Sequence, residues 1–446
     1  MTTLVVGGGL FGLVCARKMA LGGEDVRVLE RSARPGGVVK TDRRDGFLLE
    51  LGPNTVRPTP EILGLVRALG LESEALVSDP LALRFLAWNG ALHALPSSPL
   101  SLLATPLLSA RGKLRLLAEP FVPRGEAEPE ETVAAFFTRR LGAEVADRFV
   151  APFVSGIFAG DPRRLSAESA FPPLVSGERR YGSLFGAAVR GRRDRPKAPI
   201  RGLLSFREGL ETLPRALAAA LGDRLEPGSD VESVVPAGSL WAVRAGGETR
   251  RAERLVLACP AREAARLVVE FAPEAAAALQ GIPQGPIAVL HLAWPQAALG
   301  RSLRGFGHLG IRSPGERILG AVWSSSLFPG RAPEGQALIT AFAGGTTDPK
   351  ATALSDQELA TIAASELTGL LEAREQPRLL AVTRWPEAIP QYDVGHAGRV
   401  AVLARTETRW PGLVFGGSYR GGVSVGDVVR NAIELAGPGP RPTPHL

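Results

Sequence analysis

"LVVGGGLFGLVCARKMALGGEDVRVLERSARPGG", residues 4–37, reads as strand, glycine turn, helix and strand, ending in an acid. Gly7, Gly9 and Gly12 fit G-x-G-x-x-G, with Gly8 as an additional glycine. Each has a physical task. Gly7 permits the tight turn, Gly9 lets the backbone approach a pyrophosphate, and Gly12 lets the helix pack close to the strand. Leu10 and Phe11 open that helix, whose free N–H groups and dipole face the phosphates. Glu30 closes the strand "DVRVLE" 18 residues past Gly12, placed to accept hydrogen bonds from ribose hydroxyls. The unit binds a dinucleotide, and the rest of the chain decides between NAD(P) and FAD.

Two features favour FAD. A second glycine pair, Gly36-Gly37, follows directly on the acid in "RSARPGGVVKT". Far downstream, "GLVFGGSYRGGVSVGDVVRNAIELAG", residues 412–437, supplies another strand, glycine turn and helix. A reduced flavin collects charge at its N1–C2=O edge, and a helix starting near Val425 offers positive potential there. An NAD enzyme needs no such second element. The chain has no second complete fingerprint, so a separate NAD(P)H domain is not expected and dioxygen is the simplest electron acceptor.

The chain has 446 residues, which suggests two or three domains, and 45% of them are hydrophobic, as in a globular protein. No run of 18 uncharged apolar residues is present, so no spanning helix is expected. The N-terminus enters the strand "TTLVV" directly, so no signal or transit peptide is expected and the location expected is cytoplasmic. Cys15 and Cys259 read as reduced core residues, and with five scattered histidines they make no metal-ligand spacing. The net charge of +7 suits an acidic ligand or an anionic membrane face. Without aromatic-basic interleaving or a helix-turn-helix pattern, nucleic acid is not an expected partner.

Beyond residue 75 the character changes. Residues 96–190 have helical spacing, while "DVESVVP", "LWAVRAG" and "RLVLACP" read as strands. Residues 285–345 alternate as an antiparallel sheet does. "RGRRDRPKAPIRG", 190–202, reads as an exposed loop or hinge. The order fits a nucleotide domain whose pieces are dispersed, with other domains inserted between them.

Seven motifs taken in order resemble the oxygen-dependent, FAD-containing protoporphyrinogen oxidases of the flavin amine oxidase superfamily. They are "FLLELGPNTVRP", "LRFLAWNGALHALP", "SGIFAGDPRRLSAESAFPPL", "SFREGLETLPRAL", "GFGHL", "RWPEAIPQYDVGH" and "GGSYRGGVSVGDVVRNAIE". The resemblance spans essentially the whole chain. It implies an α/β plus α+β architecture: a Rossmann-like FAD-binding domain (1–80, 200–265 and 395–446), a mostly-β substrate domain (81–95 and 266–394) and a helical, membrane-associated domain (96–199). It implies non-covalent FAD lined by Gly7, Gly8, Gly9, Leu10, Phe11, Gly12, Glu30, Arg31, Gly37, Val38, Gly52, Pro53, Asn54, Thr55, Val231, Trp385, Val423, Ser424 and Val425. It places Arg84 at a substrate propionate and Gly156, Phe306, Leu309, Val322 and Phe342 around a tetrapyrrole.

The implied reaction is the six-electron oxidation of protoporphyrinogen IX to protoporphyrin IX, with dioxygen reduced to hydrogen peroxide. The flavin carries the hard chemistry, which accounts for the lack of any Ser-His-Asp, Cys-His or paired-carboxylate constellation. His308 in "GFGHL" is given no catalytic role. Oxidation of coproporphyrinogen III is the alternative, and a non-catalytic flavin- or porphyrin-binding protein a more distant one. A ferrochelatase as recipient of the product and a homodimer remain open as partners. Peripheral membrane attachment is expected through residues 96–121, where apolar clusters alternate with Arg111, Lys113 and Arg115.

Overall fold

The computed structural model describes residues 1–125, 129–191, 200–311, 313 and 315–437. Residues 192–199 of the basic stretch read as a hinge lie outside the described residues.

A five-stranded parallel sheet takes its strands from three distant parts of the chain, in the order 413–415, 254–257, 2–6, 25–30, 225–227. The central strands 2–6 and 254–257 are almost wholly buried because both faces are covered, as parallel sheets require. On one face, helices Leu10–Leu21, Pro60–Ala68, Thr212–Leu221 and Val425–Leu435 bury Leu13, Ile62, Leu217 and Val429 against Val5, Val28 and Val256. On the other, a three-stranded antiparallel sheet (231–252) and helices Ala261–Val268, Pro273–Gln280 and His396–Arg409 close over Leu4, Val6 and Leu257. Ala275, Ala276, Leu279 and Ile282 belong to this core. Residues 266–282 therefore pack with the nucleotide unit, and the boundary drawn at 266 from sequence falls too early. The helix pair there carries no pattern of its own that tells which core it joins.

The second sheet has seven strands, ordered 378–390, 284–295, 336–344, 318–322, 307–310, 84–88, 91–94. All neighbours are antiparallel except 307–310 beside 84–88. Period-two alternation sorts the two faces. Ala288, Leu290, Leu292 and Trp294 turn to one side with Leu359, Ala363 and Leu367 of helix Asp356–Leu370. Ile287, Val289, His291 and Ala293 alternate with them, and Val289 and Ala293 pack toward helix Ala151–Phe158 and the hairpin 41–50.

Residues 99–190 hold short helices and no strand among the described residues. Their centre is ionic as well as apolar. The Arg140 guanidinium and the Glu119 carboxylate, both fully buried, are paired, and Glu178 accepts from Arg139 at 2.8 Å. Removing one partner of such a buried pair typically costs about 3–5 kcal/mol. Cys15 is buried, Cys259 half-buried, and both are free.

Candidate active site

The glycine loop shows the three tasks directly. Gly7 has φ +111° and its N–H donates to Leu29 O at 2.8 Å. A Cβ on Gly12 would stand 2.0 Å from Gly7 O, so only glycine lets the helix sit this close. A Cβ on Gly9 would meet nothing within 4 Å, which marks the open side of the loop. Gly9 is also the N-cap of helix Leu10–Leu21 and supplies no capping side chain, so the helix's first N–H groups have no side-chain partner. Glu30 accepts from Gly8 N at 2.6 Å and from Ser32 N at 2.8 Å. Each oxygen retains a lone pair for a ribose hydroxyl. Open loop, helix start and tethered acid fit a diphosphate and ribose.

The second glycine pair abuts the first. Gly36 N donates to Gly8 O at 2.8 Å, and a Cβ on Gly37 would lie 3.3 Å from Gly9 Cα. Gly52 presses on Val38 so closely that a Cβ would lie 1.9 Å from Val38 O. Trp385 reaches across from the large sheet, its indole N–H donating to Leu51 O at 2.7 Å. The segments 36–39 and 51–55 and Trp385 thus meet in one place, with Val38 exposed and Pro53, Asn54 and Thr55 half-buried. The C-terminal glycine turn closes the row, since a Cβ on Gly416 would overlap the Phe11 ring at 2.1 Å. Ser424 caps helix Val425–Leu435, accepting from Asp427 N at 3.1 Å.

Not every residue carried over presents its side chain. Leu10 and Phe11 are buried in the helix-side core, and Val231 is buried on the opposite side of the sheet. Val231 is nevertheless near the ribose acid, because Gly228 N and Ser229 N donate to Ser32 O and Glu30 O. Arg31 is exposed beside them.

The tetrapyrrole candidates lie on the large sheet. Gly156, in helix Ala151–Phe158, touches Leu309, where a Cβ would approach Leu309 Cδ2 to 2.3 Å. Val322 pairs with Gly307 and Thr340, and Phe342 packs with Leu319, Val289 and Trp385. Phe306, Leu309, Val322 and Phe342 are half-buried, which leaves apolar surface free for a ligand. Arg84 is exposed at the first residue of strand Arg84–Trp88, with its guanidinium 5.5 Å from the centroid of the Phe306 ring. It forms no salt bridge that the described residues record. His308 stands between Gly307 and Leu309 with its ring toward Trp323, 6.4 Å between centroids, and burial pushes it down to about 4.

A polar layer beneath these loops was not visible from the sequence. Arg34 donates to the carbonyls of Pro35, Gly37 and Val39 and to Glu211, bracing the second glycine pair. Glu50 accepts from Leu210 N and Thr41 Oγ1, both at 2.8 Å, with the buried Arg331 3.8 Å away. Burial nevertheless pushes its carboxyl up to about 7. His291, buried and held neutral, pushed down to about 4 by burial, contacts Glu50 O at 3.0 Å through Nε2. The sequence signal was an acid inside the apolar run "FLLEL". Among the described residues no group of His, Cys, Asp and Glu could hold a metal ion.

The flavin containing amine oxidoreductase family matches residues 12–437. The chloroplastic protoporphyrinogen oxidase of Nicotiana tabacum is 33% identical over 97% of this chain and 84% of its own length. The protoporphyrinogen oxidase of Bos taurus is 34% identical over 98% and 97%. The coproporphyrinogen III oxidase of Bacillus subtilis is 27% identical over 96% and 95%. Among solved structures, a chain from Exiguobacterium superposes with a TM-score of 0.82 at 24% identity, covering 98% of this chain and 97% of that one. Cyclohexylamine oxidase from Brevibacterium oxydans superposes at 0.73 with 18% identity, covering 98% and 97%. These likenesses establish a shared mixed α/β fold.

Proposed function

Because the chain belongs to the flavin-containing amine oxidoreductases, we propose that it takes six electrons from protoporphyrinogen IX, with dioxygen as terminal acceptor and hydrogen peroxide as its product. It is an FAD-dependent oxidoreductase of porphyrin biosynthesis. The observation that carries the substrate reading is the apolar face formed by Leu309, Val322 and Phe342 with one exposed arginine, Arg84, at its edge. A porphyrinogen has the same polarity, an apolar macrocycle with carboxylate tails.

When bound, the flavin supplies the two-electron acceptance that the side chains lack. Gly9, Glu30, Gly37, Gly52 and the turn before Val425 hold it. Arg84 orients a propionate through a forked, charge-assisted contact, while Phe306, Leu309 and Phe342 exclude water from the macrocycle. None of these residues is asked to move a proton.

Anaerobic mixing with each porphyrinogen, followed by flavin absorbance, tests the reading. Protoporphyrinogen IX is expected to bleach the flavin fastest, and acid precipitation is expected to leave FAD in the supernatant. A flavin that no porphyrinogen bleaches overturns the substrate class, and a supernatant without FAD overturns the cofactor. Faster bleaching by coproporphyrinogen III selects the second reading, which the similarity to the Bacillus subtilis enzyme supports.

Peripheral membrane attachment, and with it residence on the cytoplasmic face of a membrane, is part of the proposal. Leu100, Leu103, Leu114, Leu117 and Phe121 are exposed in the helical insert, with Arg111 exposed nearby. Arg115 does not join them, because its guanidinium turns inward to the carbonyls of Arg139 and Arg140. Among the described residues no helix is long and apolar enough to cross a membrane. In flotation with anionic liposomes at low salt the protein is expected to rise with the lipid, and Leu114→Glu combined with Phe121→Glu is expected to keep it at the bottom. Wild-type protein remaining at the bottom counts against attachment.

A further inference from the structure

We propose that Tyr392 is a positioning residue for the flavin-facing turn 416–425, an inference that rests on the FAD reading above. Tyr392 does not belong to the nucleotide unit. It follows the last strand of the large sheet, Arg378–Pro390, and precedes helix His396–Arg409. Its neighbours tie this crossing point to the rest of the molecule. Gln391, itself buried, donates through Nε2 to Phe158 O and Ile389 O, both at 2.8 Å. Tyr392 O accepts from Ser166 N at 2.8 Å. The segment is therefore pinned to the sheet and to the helical insert before its side chain reaches the turn.

The hydroxyl clips the turn at two points. It donates to Ser418 O at 2.6 Å and accepts from Gly422 N at 2.9 Å. A carbonyl can only accept and an amide N–H can only donate, so the phenol must use both of its roles at once. Burial raises its pKa, which keeps the donating proton in place. The ring is fixed by stacking on His396, with centroids 4.1 Å apart and planes 12° from parallel. The turn needs such a clip. Gly417, Gly421 and Gly422 have φ of +146°, +81° and +127°, and so many glycines leave the backbone free to wander unless it is held. Other braces act elsewhere on it: Glu407 holds the Arg420 side chain and Asn431 Nδ2 donates to Arg420 O at 3.0 Å. Among the described residues only the Tyr392 hydroxyl takes the N–H of Gly422, directly before Val423, Ser424 and the start of helix Val425–Leu435. Val423 also packs against the apolar cluster that contains Tyr392.

Tyr392→Phe removes the clip and keeps the stacked ring. Losing two backbone hydrogen bonds is expected to speed FAD dissociation from the holoenzyme by about tenfold, read by the recovery of free-flavin fluorescence on dilution. The visible circular dichroism of the bound flavin should change, and flavin reduction should slow with KM for the porphyrinogen unchanged. A residue that merely supported the fold would lower the thermal midpoint and leave flavin dissociation and dichroism as in wild type, and that result overturns the proposal. Should Tyr392→Phe yield no soluble protein, His396→Leu decides the matter. Loss of the stack is expected to accelerate FAD dissociation in the same direction, and an unchanged rate overturns the proposal. Dissociation and dichroism are read without any porphyrinogen, so a failure of the substrate reading leaves them standing and is told apart from a failure here.

Discussion

Gly52→Ala is expected to give a folded protein that loses most of its FAD during purification. The added methyl would stand 1.9 Å from Val38 O, a backbone atom that cannot rotate away. Val38 is not free to retreat as a unit either. Arg34 grips the carbonyls on both sides of it, at Gly37 and Val39, and Leu51 N donates to Lys40 O at 2.9 Å. Overpacking of this kind costs about 1–3 kcal/mol, which corresponds to roughly a 5- to 150-fold loss of FAD affinity when the two loops carry the strain. Gly64→Ala is the control, because it lies in helix Pro60–Ala68 where a Cβ meets nothing within 4 Å. That variant should keep its flavin and melt at the same temperature or slightly higher. Equal FAD content in Gly52→Ala and wild type would show that these two loops do not both face the cofactor.

Arg84→Ala should lose catalytic efficiency and keep its FAD. The side chain is exposed and sits over Phe306, so truncation leaves no buried group unpaired and no cavity. What it removes is a charge-assisted hydrogen bond worth roughly 1.5–3 kcal/mol, a loss of about 10- to 150-fold in kcat/KM, mostly through KM. Arg84→Lys should recover only part of this, because a point charge neither forks onto a carboxylate nor stacks on a ring as a guanidinium does. With esterified propionates the difference between wild type and Arg84→Ala should shrink. Equal kinetics on the free acid would remove Arg84 from the site.

How much of this was legible from sequence depended on how far apart the partners lie. The glycine fingerprint and Glu30 are a local pattern, and the open side of Gly9 and the tight contact at Gly12 are what that spacing requires. The alternation in 285–345 likewise gave the antiparallel strands. Residues from different parts of the chain were not legible by physics. Gly156 and Leu309 touch, yet nothing in either local sequence says so, and only the family resemblance had put them in one site. Arg34 is a plain surface arginine in sequence until Glu211 and three carbonyls surround it. Glu50 meets Leu210 across 160 positions. Arg111, Lys113 and Arg115 alternate with apolar clusters in sequence, but Arg115 turns inward to the carbonyls of Arg139 and Arg140, partners that lie well outside its own helix.

The parallel sheet beneath the cofactor cradle also constrains how the molecule is made. Strand 2–6 can pair with 25–30 early, but its other neighbour, 254–257, and the edge strand 413–415 come much later in the chain. Loop closure over such separations is slow, and domains assembled this way expose apolar edges while they wait. Val5, Val6 and Val256, fully or almost fully buried in the finished protein, are among the groups left uncovered. During synthesis the growing polypeptide must therefore carry a half-built nucleotide fold through the making of two other domains. Chaperone demand should peak in that interval, and the parallel sheet can be completed only after residue 415 has left the ribosome.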